Sequence, residues 1–216
     1  MTEALLKCVA SYLLGSLMGS LIVGRLSGGV DIRELGSGNA GGTNALRTQG
    51  GMFAFWVMVI DIGKGYLATG WLAPMALPVV PAASSQWRDW LPVLCGMAAI
   101  LGHVWPLWFG FRGGKGVATV LGVMLGIQAW LLLPMLLTWL VVVMLCGYVS
   151  LGSIAASAVL PAYVAWNGVE PLEPLVAFGI AVALFVVYTH RSNIARMRAG
   201  TESRARRLWL LGRRHA

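Results

Sequence analysis

Between Val117 and Tyr148 the chain runs for 32 residues without one charged side chain. As a single helix that stretch would rise about 48 Å, against a hydrocarbon core of about 30 Å. An ordinary soluble domain has nowhere to bury such a run, so it belongs in a bilayer. It is also too long for one crossing, which predicts a break near Gln128–Pro134 and two shortish helices. Composition agrees. Apolar residues make up 58% and charged residues 11% of the chain, against about 45–50% and about 25% in soluble domains, and the mean hydropathy is +0.76. The 216 residues leave room for roughly six to eight helices and no separate soluble domain. Residues 1–216 therefore read as a single transmembrane domain with a basic tail, 203–216.

Hydropathy and punctuation place the other spans. The first covers about Ala4–Gly24, where Gly15, Ser16, Gly19 and Ser20 form a small-residue stripe suited to close helix packing. Its apolar run reaches Val23 without an A-x-A-like site, so it reads as an uncleaved helix rather than a leader. A second helix spans about Gly51–Leu72. A Pro-rich connection, Ala73–Pro92, follows, with Trp71, Trp87 and Trp90 as interfacial anchors. A third covers about Leu91–Trp108, and a last pair about Leu151–Trp166 and Leu175–Thr189. The expected fold is all-α, a polytopic integral membrane protein of about seven transmembrane helices. Of the 16 Lys and Arg residues, 13 fall on one side of this topology; Lys7 and Arg88 fall on the other, and Lys64 lies within a span. By the positive-inside rule the N-terminus is outside and the C-terminus cytoplasmic. The net charge of +8 then faces anionic lipid rather than nucleic acid. Cys8, Cys95 and Cys146 lack ligand-like spacing and read as packing residues.

Three polar clusters interrupt this apolar chain. They are G36-S-G-N-A-G-G-T-N-A-L-R47, G102-H-V-W-P-L-W-F-G-F-R-G-G-K-G-V-A-T119 and H190-R-S-N-I-A-R-M-R-A-G-T-E202. Cations beside hydroxyl and amide donors on a glycine-rich backbone are what phosphate groups bind. In the first cluster, four glycines argue against helix at its start. Ser37, Asn39, Thr43 and Asn44 offer donors, and Thr43 or Asn44 is placed to cap a short helix carrying Arg47. The second cluster is not a nucleotide P-loop. Only three residues separate Gly110 from Gly114, and Gly116 stands where a magnesium-binding hydroxyl would be. Gly113, Gly114, Lys115 and Gly116 still make a phosphate cradle. His103 reads as a structural residue at a helix end as readily as a reactant. In the third cluster His190, Arg191, Asn193 and Arg196 leave the last span at the interface. Asp61 and Lys64, three residues apart, share a helix face and read as a structural pair, with a substrate role as the alternative. Glu202, among many basic neighbours, reads as a structural salt bridge.

Taken together, these residues resemble the bacterial acyl-phosphate:glycerol-3-phosphate acyltransferase family, often called PlsY. Its motifs are similar to G-S-G-N-x-G-x-T-N-x-x-R, G-H-x-x-P followed by G-G-K-G-x-A-T, and H-x-x-N-I-x-R with a following G-T-E. All occur here in order, with a D-x-x-K-G at Asp61, Lys64 and Gly65. Gly42 stands where Ala is common.

The resemblance implies transfer of a fatty acyl group from acyl phosphate to the sn-1 hydroxyl of glycerol 3-phosphate. The products are lysophosphatidate and phosphate, at the start of bacterial phospholipid synthesis. It implies Ser37, Arg47, Lys115, His190 and Asn193 as catalytic residues. Asn39, Thr43, Asn44, His103, Gly113, Gly114, Gly116, Ser150, Ser153, Arg191 and Arg196 are implied at the substrates, and Asp61, Lys64 and Glu202 in structural roles. No metal or cofactor is expected, since acyl phosphate is already activated. The expected setting is a monomer in the bacterial inner membrane, its active site on the cytoplasmic face, functionally linked to the enzyme that forms acyl phosphate. No His has Asp five positions later, so the H-x-x-x-x-D pair of common glycerolipid acyltransferases is absent. The donor's own phosphate is the expected proton acceptor. Two other readings fit part of the pattern. One is a phosphate or organophosphate transporter, although the polar groups crowd one side. The other is an acyltransferase that uses acyl-CoA or acyl carrier protein directly.

Overall fold

A computed structural model describes residues 2–77 and 85–212, and these form helices joined by short turns. The helices are α1 (Thr2–Gly15), α2 (Gly19–Leu26), α3 (Gly42–Gln49), α4 (Gly51–Tyr66), α5 (Ser85–Arg88), α6 (Leu91–Val104), α7 (Val117–Gln128), α8 (Leu132–Cys146), α9 (Val149–Asn167), α10 (Leu172–Thr189) and α11 (Arg191–Arg198). Helix α4 runs on through a π-helical stretch, Leu67–Leu72. Part of the Pro-rich connection expected at Ala73–Pro92 lies outside the described residues, as do the last four residues of the tail. The chain divides into two compact units, Met1–Ala129 and Trp130–Ala216.

Among the described residues, five helical stretches are long and apolar enough to cross a membrane, or six if the bent α1–α2 pair is one span. The expected seven separates α7 from α8. A 3-10 turn at Ala129–Leu131 interrupts the apolar run where the break was expected. The pieces of 12 and 15 residues rise only about 18 and 22 Å, so by length alone they count as one span.

In the first unit, small residues set the helix spacing. A Cβ at Gly15 would overlap the Ala99 backbone on α6, and one at Gly122 of α7 would overlap the Ile62 carbonyl on α4. Such close backbone approach is how membrane helices gain packing without a hydrophobic driving force between them. The first span is broken. Helices α1 and α2 meet at 42°, and residues Ser16–Met18 release backbone groups that lipid cannot satisfy. Side chains supply the partners. Lys64 Nζ donates to the Leu17 carbonyl at 2.7 Å, and Asp61 Oδ1 accepts from the Gly19 amide at 3.1 Å. Lys7, in a segment expected on the outer side, is buried. It pairs with Glu3 at 2.7 Å and donates to the Ala73 carbonyl at 2.6 Å. Cys8 and Cys95 pack in the same apolar cluster with Ala73 and Leu91.

In the second unit α8, α9 and α10 pack as consecutive neighbours. Pro161 lies inside α9, and Gly179 of α10 lets the two helices approach there. The basic tail folds back on the α8–α9 turn. Leu210 and Ala205 amides donate to the Met144 and Gly147 carbonyls at 3.0 and 2.8 Å, and Trp209 Nε1 to the Leu145 carbonyl at 3.2 Å. Carbonyls left open at the end of α8 are satisfied in this way. Arg204 lies 4.8 Å from the Tyr148 ring and 4.1 Å from the Trp209 ring, so the segment is docked by stacking as well as by charge.

Candidate active site

The first cluster forms a turn followed by α3. Gly36 and Gly38 take positive φ, a conformation that a Cβ disfavours. The helix starts earlier than expected. Gly41 is its N-cap, Thr43 lies in the first turn, and Arg47 is in the last. Asn44, expected at the substrate, has another task. It is 1% exposed; its Nδ2 donates to the Ile32 and Leu35 carbonyls at 2.9 and 3.0 Å, and its Oδ1 accepts the Ser37 amide at 3.0 Å. That uses both amide hydrogens, and the turn is held from within. The side chains left facing outward are Ser37, Thr43 and Arg47, all exposed; Asn39 is half-buried.

The second cluster is held by α6. Gly113 and Gly114, expected as part of a phosphate cradle, donate their amides to the Val104 and His103 carbonyls, each at 3.2 Å. They are glycine for want of space. A Cβ on Gly113 would overlap the His103 carbonyl, and one on Gly114 would overlap His103 Nε2. Gly116, at φ +84°, is the N-cap of α7. Lys115 therefore stands immediately before the N-terminus of a 12-residue helix, where backbone dipoles favour an anion.

Arg33, which the sequence did not single out, ties these two clusters together. Its Nη1 donates to the Phe109 and Arg112 carbonyls, both at 3.1 Å, while Asp31 pairs with its other nitrogens at 2.7–3.1 Å. The Arg33 hydrogen bond is the main cause that holds the Asp31 pKa below its ordinary value. Its only sequence signal is a cation two residues from an acid beside a glycine-rich loop. Ser20 Oγ ties the first cluster to α2, donating to the Ala40 carbonyl at 2.8 Å.

Beneath the second cluster lies a buried ionic group. Lys64 Nζ is 2.9 Å from Asp61 Oδ1, as the three-residue spacing predicts, and His103 Nδ1 is 3.5 Å from the same oxygen. His103, expected at the substrate, is 2% exposed and enclosed between Asp61 and Gly114.

In the second unit the third cluster is organised by Glu202. Its Oε1 accepts from Asn193 Nδ2 at 2.6 Å and Ser150 Oγ at 3.0 Å; its Oε2 accepts from Arg196 Nε at 2.7 Å. Burial by itself raises the carboxyl pKa. Hydrogen bonds from Asn193, Arg196 and Ser150 override that and leave it below its ordinary value. His190 is buried at the α10–α11 junction, with Nδ1 2.8 Å from the Val186 carbonyl. A carbonyl only accepts, so Nδ1 carries a proton. Ser153 donates to the Val149 carbonyl within α9 at 3.0 Å. Arg191 stacks 4.4 Å from the Tyr188 ring and is exposed. Among the described residues, no group of three His, Cys, Asp or Glu side chains is arranged to hold a metal.

The family model described as "Glycerol-3-phosphate acyltransferase" matches residues 5–200. The chain belongs to the glycerol-3-phosphate acyltransferase family. A curated member from Synechococcus sp. (strain CC9902) is 41% identical over 202 residues, covering 94% of this chain and 95% of the relative. One from Bordetella pertussis is 38% identical over 199 residues, covering 91% and 89%. Among solved structures, the crystal structure of PlsY (YgiH), an integral membrane glycerol 3-phosphate acyltransferase, matches in its glycerol 3-phosphate form. The TM-score is 0.82 and the identity 34%, over 93% of this chain and 94% of that one. Its lysophosphatidic acid form matches with a TM-score of 0.80 at 33% identity. Like its relative, this member of the glycerol-3-phosphate acyltransferase family is a multi-pass integral membrane protein. Family membership also removes the transporter reading.

Proposed function

We propose that this chain transfers a fatty acyl group from acyl phosphate to the sn-1 hydroxyl of glycerol 3-phosphate, yielding lysophosphatidate and phosphate. The observation that carries this reading is the pairing of two phosphate-type clusters in one unit, bridged by Arg33. Ser37, Thr43 and Arg47 face outward from one, and Lys115 precedes the α7 N-terminus in the other. Each substrate brings one phosphate, and two anions held side by side make the transfer effectively unimolecular. Lys115 and the start of α7 hold glycerol 3-phosphate. Ser37, Thr43 and Arg47 orient the donor and stabilise the oxyanion that forms at its carbonyl. The attacking hydroxyl gives its proton to the donor's phosphate, which departs as the carbon–oxygen bond to glycerol forms. On the resemblance of the third motif, His190 and Asn193 are assigned to catalysis, and Arg191 and Arg196 to substrate charge.

The proposed setting is a single transmembrane domain in a bacterial inner membrane. Its seven crossings are the α1–α2 pair, α4, α6, α7, α8, α9 and α10, with the N-terminus outside and all three clusters on the cytoplasmic face. The enzyme acts as a monomer supplied by the enzyme that forms acyl phosphate.

Purified protein in mild detergent with labelled glycerol 3-phosphate tests the donor. Palmitoyl phosphate is offered in one reaction and palmitoyl-CoA in another, and lysophosphatidate is expected from the first alone. Product only from palmitoyl-CoA would keep the acyltransferase and overturn the donor. No product from either, with folded protein, would overturn both.

A further inference from the structure

Asp61 and His103 sit below the loop that carries Lys115, and no part of the proposed chemistry uses them. Both are almost fully buried, at 0% and 2% exposure. Asp61 Oδ1 is crowded, since it takes the Gly19 amide and lies within 3.5 Å of both Lys64 Nζ and His103 Nδ1. Asp61 Oδ2, by contrast, has no hydrogen-bond partner and touches no solvent, and His103 Nδ1, equally shut off from solvent, meets Asp61 Oδ1 at 3.5 Å, a contact too long for a well-formed hydrogen bond. A buried polar atom without a hydrogen bond costs about 1–3 kcal/mol. A histidine kept only as filler would be replaced at lower cost by an apolar ring.

The other edge of the ring shows what it supports. His103 Nε2 lies where a Cβ of Gly114 would be, and the His103 carbonyl lies where a Cβ of Gly113 would be. The Gly114 amide also donates to the His103 carbonyl at 3.2 Å. The backbone just before Lys115 therefore rests on His103 by packing and by hydrogen bond. His103 in turn is steadied by a carboxylate from α4.

We infer that Asp61 and His103 are positioning residues for glycerol 3-phosphate: Asp61 fixes the His103 ring, and the ring sets the height and direction of the Gly113–Gly116 loop, and so of Lys115. The inference rests on the assignment of Lys115 to glycerol 3-phosphate. His103 acts through Gly114 and does not touch the phosphate. Asp61 thereby has two duties, because it also closes the break between α1 and α2.

Steady-state kinetics on the purified full chain separate positioning from mere stability. His103→Ala and Asp61→Asn are expected to raise KM for glycerol 3-phosphate at least fivefold. Turnover should stay within twofold, and KM for palmitoyl phosphate should not change. A purely structural role lowers the active fraction, and so turnover, without moving KM. Because Asp61→Asn risks misfolding, the decisive comparison uses His103→Ala with Lys115→Ala. If the ring acts through the lysine loop, the double variant has the KM of Lys115→Ala alone. Multiplied effects, or a fall in turnover at constant KM, would overturn the inference. If Lys115→Ala itself leaves KM unchanged, the phosphate assignment falls and takes this inference with it. A raised KM in Lys115→Ala beside an unchanged KM in His103→Ala sinks the inference alone.

Discussion

Asn193 donates from Nδ2 to Glu202 Oε1 across 2.6 Å, and the same carboxylate holds Ser150 and Arg196. One acid thus fixes three side chains from α9 and α11, all of which the family resemblance assigns to catalysis or substrate.

Glu202→Gln keeps an acceptor and loses the charge. Charge-assisted hydrogen bonds contribute about 1.5–3 kcal/mol. For a chain of this size that corresponds to a fall in Tm of roughly 3–12 °C. Thermal unfolding in detergent measures it, and an unchanged Tm would refute the clamp.

The clamp also has a pH signature. The folded-state pKa of Glu202 lies below its ordinary value of 4.5. Its contribution is therefore full above pH 4.5 and is lost as pH falls through the folded value. The Tm difference between wild type and Glu202→Gln should stay flat down to about pH 5 and close below about pH 4.5. Closure between about pH 6 and 5 would contradict the assignment.

Asn44→Ala leaves the Ser37 amide and two carbonyls without their partner. At about 1–3 kcal/mol for each buried group left unsatisfied, the turn that presents Ser37 should loosen. Turnover is expected to fall more than about tenfold. Asn44→Asp keeps the acceptor for Ser37 but not the donors, and should fall in between. Full activity in Asn44→Ala would show that the turn holds itself.

Arg33→Lys tests the tie between the first two clusters. A lysine ammonium cannot reproduce the fork that reaches two carbonyls and a carboxylate. A loss in kcat/KM of about 10-fold, near 1.4 kcal/mol, is expected. Faster proteolysis within residues 27–50 should accompany it. Wild-type kinetics would mean that the loops are fixed independently.

Lys64→Met leaves Asp61 buried without its cation and the Leu17 carbonyl without a donor. Breaking a buried pair on one side costs about 3–5 kcal/mol. The variant should lose most of its folded yield, read by size-exclusion chromatography in detergent. Asp61→Asn added to Lys64→Met should recover part of that yield. No recovery would show that the Leu17 carbonyl, rather than the stranded carboxylate, dominates.

The sequence was most legible where physics acts between near neighbours. The break at Ala129–Leu131 followed from length alone, and the Asp61–Lys64 pair from helical spacing. Glu202 was readable as a salt bridge because Arg196 is six residues away. What stayed hidden depends on distant segments. His103 meets an aspartate 42 residues earlier in the chain, and Arg33 reaches carbonyls 76 and 79 residues on. Backbone carbonyls carry no sequence signature, so neither Arg33 nor Lys7 announced its carbonyl partners. Gly113 and Gly114 hid their packing partner for a related reason. Glycine marks close approach, and here the approaching group is His103 rather than a phosphate.

The break between α1 and α2 has a consequence for biogenesis. Leu17 and Gly19 leave the ribosome 40 or more residues ahead of the side chains that complete them, Lys64 and Asp61. A membrane segment with open backbone groups is a poor guest for lipid. The first span must therefore wait, sheltered at the insertion machinery, until α4 arrives. α4 thus supplies the groups that complete the helix pair preceding it.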